Sequence, residues 1–376
     1  MQPGVLARNP DFRRLFLSSV VSLAGDWFSF VAVAGLVTEL TGRPGAAAFI
    51  YAATVLPVFL ASPLAGAVAD RLDRKRVLVT ADLVRVPIAL LLCGAAWWGS
   101  VPLAVVVIVA LGIGASFHDP VASAATPNLV APEDLASAQS LMGAVWGSML
   151  MVGAGLGGLV AGIRRPLQQA AAPRPARGAL REAVRYIRAT PIVSRLLFAK
   201  VGVSSSNGIV GLLPAFANGR FAGTGIATGL LFAARGLGAL VGPLLGRGVI
   251  GPVPTRRRLI TVCGVSTLSY CAVYAAFPLA EAFAVALVMV VLAHLGGGAQ
   301  WSLSTYGLQL ETPDHLRGRV MALDYGLATL FIGLSSIVAG VLADAFGAAR
   351  ATWWLAGIGT VYGAAWLGWS LAAVRR

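Results

Sequence analysis

Apolar runs of about twenty residues recur along the chain, each closed off by a short polar stretch. That length lets an α-helix, rising about 1.5 Å per residue, cross a hydrocarbon core. Five runs lie near 15–38, 46–69, 77–98, 102–122 and 140–163. Six more follow a long polar interval, near 195–217, 226–249, 259–278, 281–306, 320–344 and 351–373. Composition agrees: 57% of residues are hydrophobic and 12% charged, against about 25% charged in soluble domains. A water-soluble globule could not hide this much apolar surface. A transmembrane β-barrel would show alternating segments of about ten residues, whereas these runs are continuous. The expected fold class is therefore an all-α polytopic membrane protein.

The net charge is +14, but it forms no continuous basic face, so nucleic-acid binding is excluded as a reading. The arginines gather in short clusters between apolar runs, as positive-inside loops do. Arg8, Arg13 and Arg14 precede the first run, and Asp70, Arg71, Asp73, Arg74, Lys75 and Arg76 crowd in after the second. Arg256 to Arg258, Arg317 with Arg319, and Arg375 with Arg376 mark later turns. The turns between them are nearly neutral. Basic turns are expected in the cytoplasm, with both termini. Cys93, Cys263 and Cys271 lie in apolar runs and read as small core residues, with no metal spacing or disulfide framework.

One interval breaks the alternation. The turn at His118 to Asp134 and the arginine-rich stretch from Gly162 to Arg195 should both be cytoplasmic, yet only the run 140–163 separates them. An internal repeat bears on this gap. Leu129-Val-Ala-Pro-Glu-Asp-Leu135 matches Leu310-Glu-Thr-Pro-Asp-His-Leu316, and proline before an acid suits a helix start. The second copy is followed by two runs and the first by one, so a sixth span is expected to be absent. The organisation expected is an N-terminal bundle, 1–163, a basic linker, 164–194, and a C-terminal bundle, 195–376. Within the linker, 178–188 reads as an amphipathic helix suited to an anionic membrane surface, with Leu180, Val184 and Ile187 opposite Arg181, Arg185 and Arg188.

The stretch Gly66-x-x-x-Asp70-Arg71-x-x-Arg74-Lys75 resembles the loop signature of major facilitator superfamily transporters. With Arg317-Gly-Arg319-Val-Met, Asn9-Pro-Asp-Phe-Arg-Arg14, Leu23-Ala-Gly-Asp-Trp27 and Asp119-Pro, the chain looks like a bacterial exporter of that superfamily, in the group of enterobactin exporters and macrolide-efflux-like proteins. The resemblance implies two six-helix bundles around a central cavity, here with about eleven spans instead of twelve. It also implies that the Gly66 to Arg76 loop latches one closed state, a latch expected to be one-sided because Gly246 to Arg258 lacks the aspartate. The antiporter-type pattern Gly-Pro-x-x-Gly-Gly is met by Gly153-Ala-Gly-Leu-Gly-Gly158, with Ala154 where proline is usual. Gly143/Gly147, Gly153/Gly157 and Gly158/Gly162 read as close-packing pairs.

Charged side chains inside membrane spans are costly and face a cavity or a partner. Asp26 shares one face with Ser18, Ser22 and Ser29; it reads equally as a proton or substrate site and as a structural helix contact. Arg235 and Asp324 are further cavity or coupling candidates, with an Asp324–Arg235 pair as a hypothesis. Gln300 and Trp301 offer a polar and aromatic surface, Ser304 and Tyr306 extend it, and Ser204 to Asn207 are weaker candidates. Asp82 and Arg85 can pair and, with Gly66, Asp70, Arg71, Arg74, Lys75 and Arg76, suggest a gate network. No catalytic set, metal motif or phosphate loop emerges, so no enzyme, cofactor or metal is expected. The reading is a monomeric efflux transporter whose partners are a small-molecule substrate, protons and the lipid bilayer. The rival is a degenerate, non-transporting relative.

Overall fold

The computed structural model describes residues 4–43, 45–148, 179–221, 225–251 and 254–374. The described residues are helices joined by short turns, with no strand among them. In the N-terminal half, α1 spans Pro10–Thr41, α2 Ala46–Arg71, α3 Arg74–Trp97, α4 Val101–Leu129 and α5 Leu135–Ser148. A linker helix, α6, spans Ala179–Ala189. The C-terminal half holds α7 Pro191–Ser206, α8 Gly225–Ile250, α9 Arg256–Ala276, α10 Phe283–Glu311, α11 Asp314–Phe346 and α12 Ala348–Val374. Eight helices among the described residues are long and apolar enough to cross a membrane. Helices α1 and α12, with 32 and 27 residues, are not among those eight but are also long. The interval where a sixth span is expected to be absent, most of the run 140–163 and the linker before Ala179 lie outside the described residues.

Local sequence sets the helix boundaries. Ser100 caps α4 by accepting from the Leu103 backbone N–H, and Thr255 caps α9 in the same way through Arg258. The Pro-acidic repeat marks two helix starts: Pro132 opens a short turn into α5, and Pro313 sits at the N-cap of α11. Helix α7 does not stop at Ser206 but passes into a tighter 3-10 segment, Asn207–Leu212, and runs on to Arg220. A mid-span 3-10 stretch of this kind is a place where a helix can hinge.

Packing fixes which faces meet lipid. Helix α3 packs mainly on α4 and leaves Leu83, Val86, Leu90, Leu91 and Trp97 exposed. Such a stripe is stable only against hydrocarbon, so α3 is a lipid-facing helix. Cys93 is exposed on it, unlike the buried Cys263 and Cys271; an apolar residue in a membrane helix need not face the core. The linker helix differs from expectation in a related way. Ala183 and Ile187 are buried and Tyr186 donates to the Glu311 carbonyl, so α6 docks on the protein while Arg181, Arg185 and Arg188 stay exposed.

The two halves meet along α2 and α11, which touch over their whole length. Down α11, Gly318 faces Asp70, Ala322 faces Gly66, Gly326 faces Ser62, Gly333 faces Leu56 and Gly340 faces Phe49. Without hydrophobic drive between helices in lipid, small residues let the backbones close up and gain packing contacts. On the other side of the cavity α5 packs on α8 and α10, with Gly143 against Pro243 of α8 and Ser302 of α10.

A Cβ at Gly66 would lie 2.8 Å from the Cβ of Ala322, which cannot rotate away. Gly66→Ala is expected to destabilise the protein by about 1–3 kcal/mol, read as a lowered melting temperature in detergent. Adding Ala322→Gly should restore it; a double variant no better than the single one refutes this close approach.

Candidate functional site

Between the halves lies a cavity of about 790 Å³, counted to its open mouth. Its walls are mostly apolar and aromatic, with Trp27, Phe30, Tyr51, Trp301 and Tyr325, and its ionisable lining residues are Asp26 and Asp119 besides the tyrosines. A smaller space of about 390 Å³ shares Leu23, Asp119, Trp301 and Tyr325 and extends to His118 and Gln139. Large apolar walls with few convergent polar groups are the usual make-up of a small-molecule site.

The N-terminal wall carries a buried charge network. Arg85 is paired with Asp26 and donates to Ser22 Oγ at 2.6 Å. Its Nη1 is 3.7 Å from Asp82, which also accepts from Ser22 at 3.1 Å and Ser18 at 3.4 Å. His118 lies 3.3 Å from Asp119 and 3.9 Å from Asp82. The helical repeat explains half of this: Ser18, Ser22 and Asp26 share a face of α1 that meets α3. Arg85 therefore turns toward the cavity wall and away from the loop at Gly66 to Arg76, with which the sequence had grouped it. The gate network expected of Asp82 and Arg85 divides in two.

That loop makes a separate lock between the halves. Asp70 accepts from Arg319 Nε at 2.5 Å, and the same arginine reaches Glu182 of α6 at 2.9 Å. Arg74 is buried, donates to the carbonyls of Ala69 and Ala124, and lies 3.5 Å from Asp314. Arg71 and Arg76 are exposed, and Lys75 is partly so. At the other end of the same seam, Asp344 takes Arg43 at 2.6 Å and the Gly45 backbone N–H at 3.0 Å. The α2–α11 seam is thus clamped by ion pairs at both ends. In the C-terminal half, the loop that lacks the aspartate places Arg256 on Glu311, at 2.8 and 2.9 Å.

In the C-terminal half the Asp324–Arg235 pair does not form. Asp324 is fully buried and paired with Lys200, whose Nζ also donates to Thr305 at 2.7 Å. Lys200 lies 5.0 Å from the Trp301 ring and 5.5 Å from the Tyr325 ring, so it is walled off from the cavity by the residues that line it. Arg235 instead stacks on Trp27, 3.9 Å from the ring centroid. Gln300 is fully buried, away from the cavity lining, and neither of its side-chain amide atoms has a partner. Asn207 accepts from the Tyr51 hydroxyl at 2.9 Å, a bond across the two halves.

Of the sequence candidates, Asp26 and Trp301 reach the cavity wall; Arg235 stands behind Trp27, and Asp324 and Gln300 are in the protein interior. Lys200, His118 and Tyr51 were missed. A signal for Lys200 existed: it is a lone lysine in an apolar run, a position that demands a partner. No comparable signal marked Tyr51, whose importance comes from what faces it.

Two helical halves around a mostly apolar cavity with two carboxylates in its wall, locked together by ion pairs, define a multi-pass membrane transporter. A family model described as a transmembrane secretion effector matches residues 6–172 and 163–370. The multidrug efflux pump Tap of Mycolicibacterium fortuitum is 30% identical over 90% of each chain. Macrolide efflux protein A of Streptococcus pyogenes is 31% identical over 33% of this chain and 31% of its own length. Among solved structures, the human organic anion transporter MFSD10 superposes with a TM-score of 0.71 at 14% identity, covering 94% of this chain and 99% of that one. A bacterial homologue of the iron transporter ferroportin gives 0.59 at 17% identity, covering 97% and 100%; at these identities the likeness is one of fold. The chain belongs to the transmembrane secretion effector family of major facilitator transporters. It is a small-molecule efflux transporter.

A charge buried without its partner costs more than the pair contributes. Lys200→Met alone should therefore destabilise the protein by about 3–5 kcal/mol, and Lys200→Met with Asp324→Leu by much less. Denaturant unfolding in detergent measures both. Equal losses in the single and double variants count against the pair.

Proposed function

We propose that this transporter is a proton-coupled antiporter of a bacterial inner membrane, acting as a monomer with both termini in the cytoplasm. The observation that carries the coupling is the wall of the cavity. Asp26, Asp82 and Asp119 share a single arginine, Arg85, and a histidine, His118. Carboxylates outnumber fixed cations there, so proton uptake relieves their repulsion, and the proton belongs to the group rather than to one residue. Asp26 and Asp119 line the space a substrate would fill. Bound proton and bound substrate then act on the same charges, which is the requirement for exchange. Protonating Asp26 frees Arg85 from its partner and loosens α1 from α3.

Alternating access follows from the seam. Rocking the halves requires one clamp to open while the other holds. The Asp70–Arg319 clamp lies at the arginine-rich, cytoplasmic end by the charge rule, and Arg43–Asp344 at the outer end. The rival reading, a degenerate protein that no longer transports, has no such network to recommend it.

Two tests follow. In proteoliposomes, Asp26→Asn should abolish efflux driven by a proton gradient while sparing exchange of labelled for unlabelled substrate. Full gradient-driven transport by the variant would falsify the coupling role. For orientation, a cysteine at Leu72 in whole cells should resist an impermeant maleimide, and one at Gly42 should react. The reverse labelling pattern sinks the cytoplasmic assignment.

A further inference from the structure

Five lysine and arginine side chains are buried among the described residues: Arg74, Arg85, Lys200, Arg235 and Arg319. Four have a carboxylate oxygen within 3.5 Å. Arg235 has none. Among the described residues its Nε is buried without a hydrogen-bond partner, and only 7% of the residue is exposed. Its guanidinium lies over the Trp27 ring. A guanidinium stays charged at any ordinary pH, and an isolated charge deep in a span is costly. Stacking on tryptophan offsets part of that cost, but it supplies no counter-charge.

The surroundings supply hydrogen-bonding groups instead of acids. Tyr51 lies beside Trp27, with ring centroids 5.9 Å apart, and His294 packs against Gly238, one turn from Arg235 on α8. The Tyr274 hydroxyl is 2.9 Å from His294, and Asn207 lies 2.9 Å from the Tyr51 hydroxyl and 3.5 Å from that of Tyr270. Trp27 and Tyr51 both line the cavity, so the cation sits one ring behind its wall. Trp27 belongs to α1 and Arg235 to α8, so their contact spans the two halves that must move apart during transport.

We propose that Arg235 anchors an anion subsite in the substrate path, and that the transporter takes flat aromatic or amphipathic molecules bearing a carboxylate or comparable anionic group. The ring system lies against the aromatic wall, and the acid takes the guanidinium as the Trp27–Arg235 contact opens with the parting of the halves. Asp26 and Asp119 repel the acid from the other part of the wall, which orients the ligand. The inference rests on the cavity being the substrate site, and not on proton coupling.

A matched pair of probes tests it: a rhodamine dye with a free benzoate, and the methyl ester of the same dye. Their affinities are measured by fluorescence anisotropy on the full chain in nanodiscs. The acid should bind wild type at least about tenfold more tightly than the ester, the scale of one charge-assisted contact. Arg235→Gln should bring that ratio to about one, and Arg235→Lys should keep part of it. Equal affinities in wild type, no binding of the acid, or a preference that survives in Arg235→Gln overturns the proposal. The wild-type ratio decides the matter even if a variant does not fold. A strong acid preference with no response to a proton gradient leaves this subsite standing and removes the coupling proposal; equal affinities with gradient-driven transport do the reverse.

Discussion

Hydrocarbon offers no solvent for a charge, so every ionised group within the spans must find its partner inside the protein. That constraint organises this molecule. Arg85 ties α1 to α3 through Asp26, Lys200 ties α7 to α11 through Asp324, and Arg319 ties α11 to α2 through Asp70. The first two pairs hold helices together within a half. The third joins the halves and is the kind of contact that must break when they separate. The same rule makes Arg235 conspicuous, because it is the buried cation whose partner the described residues do not supply.

The second organising element is the glycine-lined approach of α2 and α11. Small residues bring the backbones close enough for the ion pairs at both ends of the seam to form. Steric fit therefore sets the register, and the charges lock it. Neither would suffice alone: a glycine stripe permits many helix rotations, and at the Arg43–Asp344 end the ion pair is exposed and contributes little. The cavity exists because the halves touch along this seam and at α5–α8 but stand apart between them.

Much of the fold was legible in the chain itself. Apolar runs with arginine-rich turns define membrane helices, and the Pro-acidic repeat marks two helix starts. Asp26 was legible as a site because an acid in mid-span demands an explanation. Its partner was not, because α1 and α3 are distant in sequence and Arg85 has a nearer acid in Asp82, three residues away on its own helix. Arg235 and Asp324 were each recognised as unusual, yet pairing them required knowing how α8 and α11 face. The glycines of α11 pack against α2, which turns Asp324 inward to Lys200, while α8 presents Arg235 to Trp27.

The sequence by itself determined the class: a polytopic helical membrane protein resembling major facilitator exporters, with basic turns on one side and a loop signature at Gly66 to Arg76. It could do so because hydrophobic run length and charge placement are local properties of the chain. Tertiary structure alone decided which charges neutralise one another, that the loop signature locks onto Arg319, and that Trp27 and Tyr51 form a wall in front of Arg235. Those are facts about distance between helices. Apolar periodicity leaves the rotation of each helix about its axis undetermined when one side faces lipid and the other a protein interior that is equally apolar.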